Sequence, residues 1–596
     1  MRLAHCAVLF FLLAPGFCFS SESSDLSAST DAVAPAAALK VGNGRGGAVR
    51  RNTVPPGPSL RDANTTWVES MLQSMTLDDK IGQMLMPAYS SGSADAMVNS
   101  YRVGGFIVQG NTNTAPAIVA AVNHLQEITS VPLLFSVDCE AGLGARFTDA
   151  TKFPMNMAAG AVNDLSLAYQ QGGATARECR AIGIQIGFGP VLDVNTEPVN
   201  PIIGIRSYSD DPYRVAQLAQ AYVQGANAEG LLCTYKHFPG HGPTTGDSHI
   251  GFQVVNISMA DLQNIHLKPY ELLLQSGTVD LVMTAHVLYP AIDPLQDIPA
   301  TISHNALTGI LRNQLGYDGC IISDSFAMGG LMAITNTYDG VTSAVLSGLD
   351  IILTPASMAD AWNGLHDAVN AGKIPVSRID DSVRRILKLK SRAGIPEMTT
   401  VSTTAYTGIL QHADNLAVAK EIGVRAVSKR NIQPGHLPIS PTEQTLVFTL
   451  ATNNTIFYKY PLTYFTDELT SDMPGRVTIQ PVGISLNGTT INNYKNMCSG
   501  YDHIVVAGVD RAPKIYSSQA TFVNALRSAG VNLTYVSFGS PYQSMLQFSD
   551  LDNFICTFSS HFESQRQVAR ELAGYGEVSQ PWPVTVPVRL SEFSVD

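Results

Sequence analysis

Short apolar runs alternate with amphipathic stretches along most of this chain. Eight runs are rich in Leu or β-branched residues: Ile81–Tyr89, Val103–Gln109, Pro132–Asp138, Gly183–Val194, Leu231–Lys236, Leu281–His286, Cys320–Asp324 and Leu349–Thr354. Helical patterns separate them, for example over Ala115–Thr129, Pro212–Ala228 and Met358–Ala371. Continuous apolar strands that alternate with helices indicate a parallel sheet covered on both faces. Eight such units predict an α/β fold with a (β/α)8 barrel of the TIM type over residues 63–395.

A second, smaller domain follows the predicted barrel. Residues 396–430 are rich in Thr and Ser and are interpreted as a linker. Beyond them the strand-like runs Gln444–Leu450, His503–Val509, Leu533–Phe538 and Asn553–Phe558 occur, with a helical pattern over Gln519–Ala529. We therefore predict an α/β sandwich domain over residues 431–596.

The amino-terminal region has the pattern of a secretory signal. Arg2 precedes the apolar run Ala7–Ala14, which predicts a signal peptide over residues 1–20. Residues 21–62 hold few large apolar groups, so they predict a disordered lead or propeptide. No later segment reaches the ~20 apolar residues of a membrane span. We expect a secreted or lumenal protein, and a lysosome-like compartment is one of the locations that this expectation covers.

Charge and modification signals agree with that expectation. The net charge of −12 argues against a nucleic-acid partner, which would need a basic face. Five N-x-S/T sequons indicate a glycoprotein: Asn64, Asn256, Asn453, Asn487 and Asn532. The six cysteines beyond the signal lack metal spacing and are interpreted mostly as buried small hydrophobes, which leaves a Cys498–Cys556 bridge open. Nothing in the sequence reports the oligomeric state.

Polar residues end four of the eight apolar runs. Asp138, Lys236, His286 and Asp324 each stand at the carboxyl end of a predicted strand. In a parallel barrel these ends share one face, and that face carries catalysis. The four side chains therefore predict an active site at this end of the barrel.

The densest group of chemically active residues lies between Lys236 and His249. Glycines and prolines exclude a regular helix from this segment, so an irregular loop is expected. Asp247 lies two residues before His249, a spacing that suits a carboxylate orienting a general base. A polar surface loop is the plain alternative. A zinc site through His237 and His241 would need the helix that the loop excludes, so neither a metal nor a cofactor is predicted.

This segment resembles the signature loop of glycoside hydrolase family 3, in its β-N-acetylglucosaminidase (β-hexosaminidase) branch, with the pattern K-H-F-P-G-H-G followed by D-S-H. Residues 319–328 resemble the family's nucleophile segment, which makes Asp324 the candidate nucleophile. Residues 137–147 resemble the family's V-D-x-E-G-G-R-x-x-R-F, with Asp138 and Arg146 on sugar-binding positions. Within that motif Leu143 replaces an Arg and Ala141 a Gly, which alters the rim of the site.

Other segments extend the resemblance, which covers roughly residues 65–596. Residues 200–207 match the segment that supplies a binding arginine, Arg206, and Lys236-His237 match the family's Lys-His pair. His286, at its strand end, completes the predicted substrate-binding set. The resemblance implies a carbohydrate substrate and a retaining double displacement, with Asp324 as nucleophile, His249 as acid/base and Asp247 as its orienting partner.

Three other functions stay open at this point. A phosphorolytic enzyme of the same branch could use the same dyad, because a histidine repels phosphate less than a carboxylate does. A family 3 β-glucosidase and a non-catalytic sugar-binding protein are the other two. The resemblance favours hydrolysis of terminal β-linked N-acetylglucosamine, and chitin, peptidoglycan fragments and glycan ends all carry that terminal sugar.

Overall fold

The computed structural model of the protein describes residues 62–585 except 275, 276, 278, 295, 296, 398, 399, 453–459, 510–514, 549, 550 and 577. The predicted signal peptide and all but the last residue of the predicted lead lie outside the described residues. Within the described part of the chain, no helix is long and apolar enough to cross a membrane.

Eight parallel strands form a closed barrel: β1 Leu85–Met86, β2 Gly105–Val108, β3 Leu134–Asp138, β4 Ile186–Phe188, β5 Leu232–Phe238, β6 Leu281–Thr284, β7 Cys320–Ser323 and β8 Ile352–Leu353. Strands β2 to β7 pair in chain order as one sheet, and β1 pairs with β8. The bridges Ala88↔Ile107 and Ile322↔Ile351 join the two groups, so the ring has no free edge. The predicted barrel is therefore confirmed.

Helices surround the barrel strands. Those that precede or surround the ring are Thr65–Ser74, Leu77–Gln83, Ala94–Tyr101, Ala115–Ile128, Asn156–Val162, Leu165–Ala181, Pro212–Ala228, Met259–Asp261, Lys268–Leu274, Gly329–Met332, Thr337–Ser347, Met358–Asn370 and Val376–Arg392. Leu262–His266 and Asn305–Gln314 are π-helical. Short 3-10 turns occur at Leu143–Ala145, Gly204–Arg206, Ala300–Ile302, Ile395–Glu397 and Ala405–Gly408.

The helix Pro212–Ala228 illustrates how the sequence builds this outer layer. The Asp211 side chain caps its amino terminus and Pro212 starts it, which suits the fixed φ of proline. The helix packs closely on Leu165–Ala181. A Cβ on Gly172 would lie 2.0 Å from the Tyr222 carbonyl oxygen, and one on Gly225 1.9 Å from that of Tyr169. The two glycines therefore allow the backbones to approach.

One predicted strand begins later than expected. Residues 81–83, at the start of the run Ile81–Tyr89, belong to the helix Leu77–Gln83. Thr76 and Asp79 form a reciprocal capping box at the start of that helix, and this local signal extends helical structure into the apolar run. The strand itself is limited to Leu85–Met86.

The second domain holds a six-stranded sheet: β9 Ser428–Arg430, β10 Thr445–Leu450, β11 Val477–Val482, β12 His503–Gly508, β13 Leu533–Ser537 and β14 Phe554–Cys556. The spatial order is β9-β14-β13-β12-β10-β11, parallel except for β9 against β14. Strands β10 to β14 thus follow the 2-1-3-4-5 order of a doubly wound fold. The associated helices are Ala413–Arg425, Thr463–Asp472, Gly488–Met497, Ser517–Ser528, Gln543–Leu546 and Phe562–Leu572, with a 3-10 turn at Cys498–Gly500.

Both faces of this sheet are covered. Phe448 joins one apolar cluster with Phe522 of the helix Ser517–Ser528. Its neighbour Val447 joins a separate cluster with Phe465 on the opposite face. Strand neighbours point to opposite faces, so the alternation places helices on both sides. The predicted α/β sandwich is confirmed as a fold.

Several details of the second domain differ from the sequence prediction. Strands β9 and β11 were not predicted, and the helix Ala413–Arg425 lies within the predicted linker. Cys498 and Cys556 are buried free thiols, so the bridge between them does not form. Of the sequon residues, Asn453 lies outside the described residues and the other four are exposed: Asn64, Asn256, Asn487 and Asn532.

Loops at the carboxyl ends of β13 and β14 contact the barrel. The Tyr542 hydroxyl accepts a 2.8 Å hydrogen bond from the Asn195 side chain. Nε2 of His561 donates to the Lys152 carbonyl at 3.2 Å. Asn195 and Lys152 lie on the loops that follow β4 and β3, at the carboxyl end of the barrel strands. The second domain therefore borders the face where the site is expected.

Candidate active site

Five of the predicted site residues lie at the carboxyl end of the barrel strands. Asp138 is the last residue of β3, and Lys236 and His237 lie near the end of β5. Asp324 directly follows β7, and His286 comes two residues after β6. The barrel thus brings together side chains that are up to 186 positions apart, from Asp138 to Asp324.

A buried ion-pair network starts at Asp138. Its carboxylate contacts Nη2 of Arg146 at 2.9 Å and Nζ of Lys236 at 3.1 Å. Burial opposes ionisation of Asp138, but the two cations outweigh it and hold its pKa below the usual value. One quarter of the Asp138 side chain is still exposed, so this carboxylate can accept hydrogen bonds from a ligand's hydroxyl groups.

Glu140 is a site residue that the sequence prediction missed. Its two oxygens accept hydrogen bonds from Nη2 of Arg206 at 2.6 Å and from Nε at 2.8 Å, so the pair is bidentate. Nζ of Lys236 lies 2.7 Å from the same carboxylate. Despite its burial, these cations hold the pKa of Glu140 well below its usual value. The E of the motif V-D-x-E was the available signal, and Glu140 fixes Arg206 and Lys236 in place.

An irregularity in β5 directs two neighbouring side chains towards the site. The register of β5 against β6 shifts between Lys236 and Phe238, as in a β-bulge. Adjacent strand residues otherwise point to opposite faces. Here Lys236 contacts Glu140, while His237 approaches Arg206 to 3.5 Å on the same side.

Asp193 is the second residue that the prediction missed. Its carboxylate is fully buried and lies 2.6 Å from Nδ1 of His237. The backbone N–H of His241 also donates to it. Burial alone would favour the neutral acid, but the contacts from His237 and His241 keep the pKa of Asp193 below its usual value. A lone carboxylate inside the apolar run Gly183–Val194 was the signal for it.

Asp324 has the surroundings of an ionised nucleophile. Oδ2 lies 3.9 Å from Nε2 of His237, and Oδ1 accepts from the Ser325 backbone N–H at 2.7 Å. Burial acts against its ionisation, but the neighbouring imidazoles of His237, His286 and His249 favour the ionised form and lower its pKa to about 2. About a fifth of the side chain (21%) is exposed, which leaves the carboxylate accessible from the barrel mouth.

His286 contacts the segment that carries Asp324. Its Nε2 donates to the Ser325 carbonyl oxygen at 2.9 Å, and its Nδ1 lies 2.7 Å from the Thr301 hydroxyl. Burial lowers its pKa, so the ring is neutral near pH 7. Both ring nitrogens are bonded to protein atoms. The structure therefore gives His286 contacts that orient the backbone next to Asp324.

Asp247 and His249 form a direct pair on the loop after β5. Oδ1 of Asp247 lies 2.8 Å from Nδ1 of His249 and also accepts the His249 backbone N–H at 2.8 Å. A carboxylate at Nδ1 fixes the tautomer and leaves Nε2 for the substrate. The His249 side chain is 46% exposed, in contrast to the other histidines of the site. This geometry suits a general acid/base.

The loop that carries this pair is anchored at three places. The backbone N–H groups of Gly329 and Gly330 donate to the carbonyl oxygens of His249 and Ser248, at 3.1 and 2.9 Å. The Ser248 hydroxyl lies 2.7 Å from Nε2 of the buried His241. Farther on, Gln253–Val254 pair with Val287–Leu288. The first contacts join the loop to the segment that follows Asp324, so they hold the Asp247–His249 pair near Asp324.

The described residues contain no group of three or more His, Cys, Asp or Glu side chains suited to hold a metal ion. The polar atoms of the site are instead paired with one another. The contacts run without a break from Asp138 through Lys236 and Glu140 to Arg206, and from there to His237 and Asp324. The arrangement can bind a polyhydroxylated ligand beside one carboxylate nucleophile and one imidazole acid/base.

Comparison with known proteins agrees with this chemistry. Residues 76–389 match the family described as Glycosyl hydrolase family 3 N terminal domain. A Cellulomonas fimi protein named "Beta-N-acetylglucosaminidase/beta-glucosidase" is 30% identical over 393 residues, 64% of this chain and 69% of that protein. "Beta-hexosaminidase A" of Pseudoalteromonas piscicida is 30% identical over 380 residues, 59% of this chain and 63% of that protein.

A solved structure extends the likeness to the second domain. A glycoside hydrolase family 3 beta-N-acetylglucosaminidase from Paenibacillus sp. str. FPU-7 aligns with a TM-score of 0.79 at 29% identity, over 87% of this chain and 100% of that chain. The family match includes all eight barrel strands, from β1 to β8, and the relatives carry names of the predicted branch. The chain therefore belongs to glycosyl hydrolase family 3, as its sequence predicts.

Proposed function

We propose that the protein is a retaining β-N-acetylhexosaminidase that releases terminal β-linked N-acetylglucosamine. One observation carries the proposal: the ionised, partly exposed Asp324 lies at the barrel mouth beside a loop that holds the Asp247–His249 pair. The names of the relatives support N-acetylglucosamine as the sugar.

In the first step, Asp324 attacks the anomeric carbon of the bound sugar. The bond from that carbon to the leaving oxygen breaks as His249 gives a proton to the oxygen. The product is a glycosyl ester of Asp324 and a free alcohol. Asp247 stabilises the charged imidazole and keeps Nε2 directed at the leaving oxygen. The low pKa of Asp324, about 2, supplies the ionised form that the attack needs.

In the second step, water replaces the carboxylate at the anomeric carbon. His249, now neutral, takes a proton from the water as the new bond forms. Asp324 leaves as a carboxylate, so the enzyme returns to its starting state. Two inversions at one carbon retain the β configuration.

The buried network binds the sugar in the proposed complex. Asp138, with Arg146 and Lys236 beside it, offers charged hydrogen-bond partners for hydroxyl groups. Charge-assisted hydrogen bonds are stronger than neutral ones. Arg206 is already held by Glu140, so it loses little conformational freedom when substrate binds.

We also propose that the protein acts in the secretory pathway or outside the cell, as a glycoprotein. The signal-like residues 1–20 and the sequons support this proposal. It favours hydrolysis over phosphorolysis, because phosphorolysis conserves energy only where the sugar phosphate stays inside the cell.

A trapping experiment tests the mechanism. A 5-fluoro N-acetylglucosaminyl donor should inactivate the enzyme and label Asp324, which mass spectrometry of peptides would locate. Asp324→Asn, as the control, should take up no label and turn over no substrate. A label on another carboxylate would refute the assignment. Turnover of the nitrophenyl glycoside with and without phosphate separates the reactions, since phosphorolysis would yield a sugar 1-phosphate.

A further inference from the structure

Beside the acid/base histidine lies an exposed apolar surface that the proposed mechanism does not use. Ile250 is 82% exposed and directly follows His249, and Phe252 is 52% exposed. Large apolar side chains with this much exposure next to a polar site often mark a contact surface for a ligand. We call Ile250 and Phe252 the apolar platform.

Local contacts place Phe252 on the outer side of the loop. The side chain of Gln253 turns back and donates to the carbonyl oxygens of Asp247 and Gly251, at 3.4 and 3.3 Å. Val255 is buried, and its backbone N–H donates to the Leu288 carbonyl. Alternate residues of an extended segment face opposite sides, so these inward contacts leave Phe252 on the outer side.

The geometry of the proposed reaction indicates which part of the substrate contacts the apolar platform. In the proposed mechanism the reacting sugar lies against Asp324, next to the buried side chains of Lys236 and Arg206. His249 must touch the oxygen of the leaving group to protonate it. The leaving group therefore extends outward past the loop of His249, where Ile250 is the next residue.

The residues of this loop also indicate the charge of the leaving group that it can bind. No charged residue occurs between His249 and Asp261. The apolar platform thus offers apolar and aromatic contact without a cation for an acidic group. A pyranose ring exposes C–H groups on its faces, and an aromatic ring can cover them.

We propose that Ile250 and Phe252 form the subsite for the leaving group, and that this subsite takes a neutral sugar such as a second N-acetylglucosamine. The inference rests on the proposed function, because it assumes that His249 protonates the leaving oxygen. It favours neutral β-linked oligosaccharides over fragments in which the leaving sugar carries a carboxylate.

Two substrates that share the reacting sugar test the subsite. N,N′-diacetylchitobiose has a sugar leaving group, whereas N-acetylglucosaminyl fluoride has one atom that cannot reach Phe252. The double variant Ile250→Ala, Phe252→Ala should lower kcat/KM for diacetylchitobiose by about tenfold, as expected for the loss of apolar burial. Its kcat for the fluoride should not change. Leu346→Ala, at an exposed leucine on a barrel helix, is the matched control and should change neither substrate.

Each outcome decides between the subsite and the mechanism. Equal rates on diacetylchitobiose for the double variant and the native enzyme would overturn the subsite. Equal losses on both substrates would assign the two residues to loop folding instead, because breakdown of the glycosyl-enzyme still needs His249. Native enzyme that turns over neither substrate would refute the proposed function itself.

A second substrate pair tests the preference for a neutral group. The disaccharide of N-acetylglucosamine on N-acetylmuramic acid carries a carboxylate, and its methyl ester does not. The native enzyme should cleave the ester with the higher kcat/KM. Equal or faster cleavage of the acid would overturn the preference.

Discussion

The hydroxyl of Ser248 lies 2.7 Å from Nε2 of His241, and this bond ties the segment of Asp247 and His249 to the buried start of the same loop. His241 is buried, and burial lowers its pKa to about 4, so its ring is neutral near pH 7. The Thr244 hydroxyl donates to the His241 carbonyl, which leaves its oxygen to accept Nδ1–H of the same histidine. Nε2 therefore accepts the proton of Ser248.

Removal of this bond should make the position of His249 less fixed, although His249 itself is unchanged. We expect Ser248→Ala to lower kcat by about tenfold with little change in KM, because small displacements of a catalytic group are costly. Ser248→Thr keeps the hydroxyl and should retain most of the activity. Steady-state kinetics with diacetylchitobiose would measure both. A kcat of Ser248→Ala equal to that of the native enzyme would mean that the backbone contacts of Gly329 and Gly330 suffice.

His249→Ala should discriminate between leaving groups. A natural oligosaccharide has a poor leaving group that needs protonation, so its hydrolysis should slow by about 10²–10⁴-fold. A nitrophenyl glycoside should slow far less in the first step. Azide should partly restore the variant by attacking the glycosyl-enzyme. Asp247→Asn should give an intermediate loss and an altered pH profile, because the imidazole loses its charged partner. Equal slowing of both substrates without azide rescue would contradict the role of His249.

Glu140→Gln should damage both stability and activity. The change leaves Arg206 and Lys236 buried with one negative charge fewer, and breaking a buried pair from one side costs about 3 kcal/mol. We expect a lower urea midpoint and a loss of kcat/KM. Glu271→Gln is the control, since it breaks a 2.6 Å pair with Lys268 in which Glu271 is half-exposed. Such surface pairs contribute little. Equal effects of the two substitutions would disprove the role given to Glu140.

Patterns within single elements made the barrel predictable. Each barrel strand contains apolar residues covered on both faces, and Asp138 and Asp324 lie at the ends of such runs. Strand β11 lies at the edge of its sheet, is only partly buried and contains Pro481, so it lacks that pattern. An apolar-run criterion therefore overlooks it.

The sequence prediction missed two site residues, Glu140 and Asp193, for a different reason. Glu140 acts through Arg206, which is 66 positions away, and Asp193 through His237, which is 44 positions away. These partners become neighbours only when the barrel closes. The position of a side chain relative to its own strand does not reveal them. The reverse holds for Asp247 and His249, whose contact spans two residues and could be inferred from spacing alone.

Activity should survive dialysis against a strong chelator. Both ring nitrogens of His241 and of His286 bond to hydroxyl or carbonyl oxygens of the protein. Those of His237 face Asp193 and Arg206. These contacts leave the three histidines committed to protein partners. Turnover of the nitrophenyl glycoside before and after dialysis measures the effect, and a loss that zinc restores would contradict these assignments.

His561 should make the protein less stable in acid. The ring is buried, and burial lowers its pKa to about 3 from an ordinary value of 6.5. Between these two values the unfolded chain binds a proton that the folded protein does not. The free energy of unfolding therefore falls as the pH is lowered through 6.5. From pH 7 to pH 5 this one group should contribute a loss of about 2 kcal/mol.

His561→Asn isolates that contribution. His561 caps the helix Phe562–Leu572 by accepting the Glu563 backbone N–H, and asparagine can accept the same bond without titrating. Urea midpoints of both proteins should be measured at pH 7 and pH 5. The variant loses the bond from His561 to the Lys152 carbonyl, so it should be somewhat less stable at pH 7. Its decline towards pH 5 should nevertheless be shallower, because other groups titrate equally in both proteins. Parallel declines would show that His561 takes up its proton in the folded state as readily as in the unfolded chain.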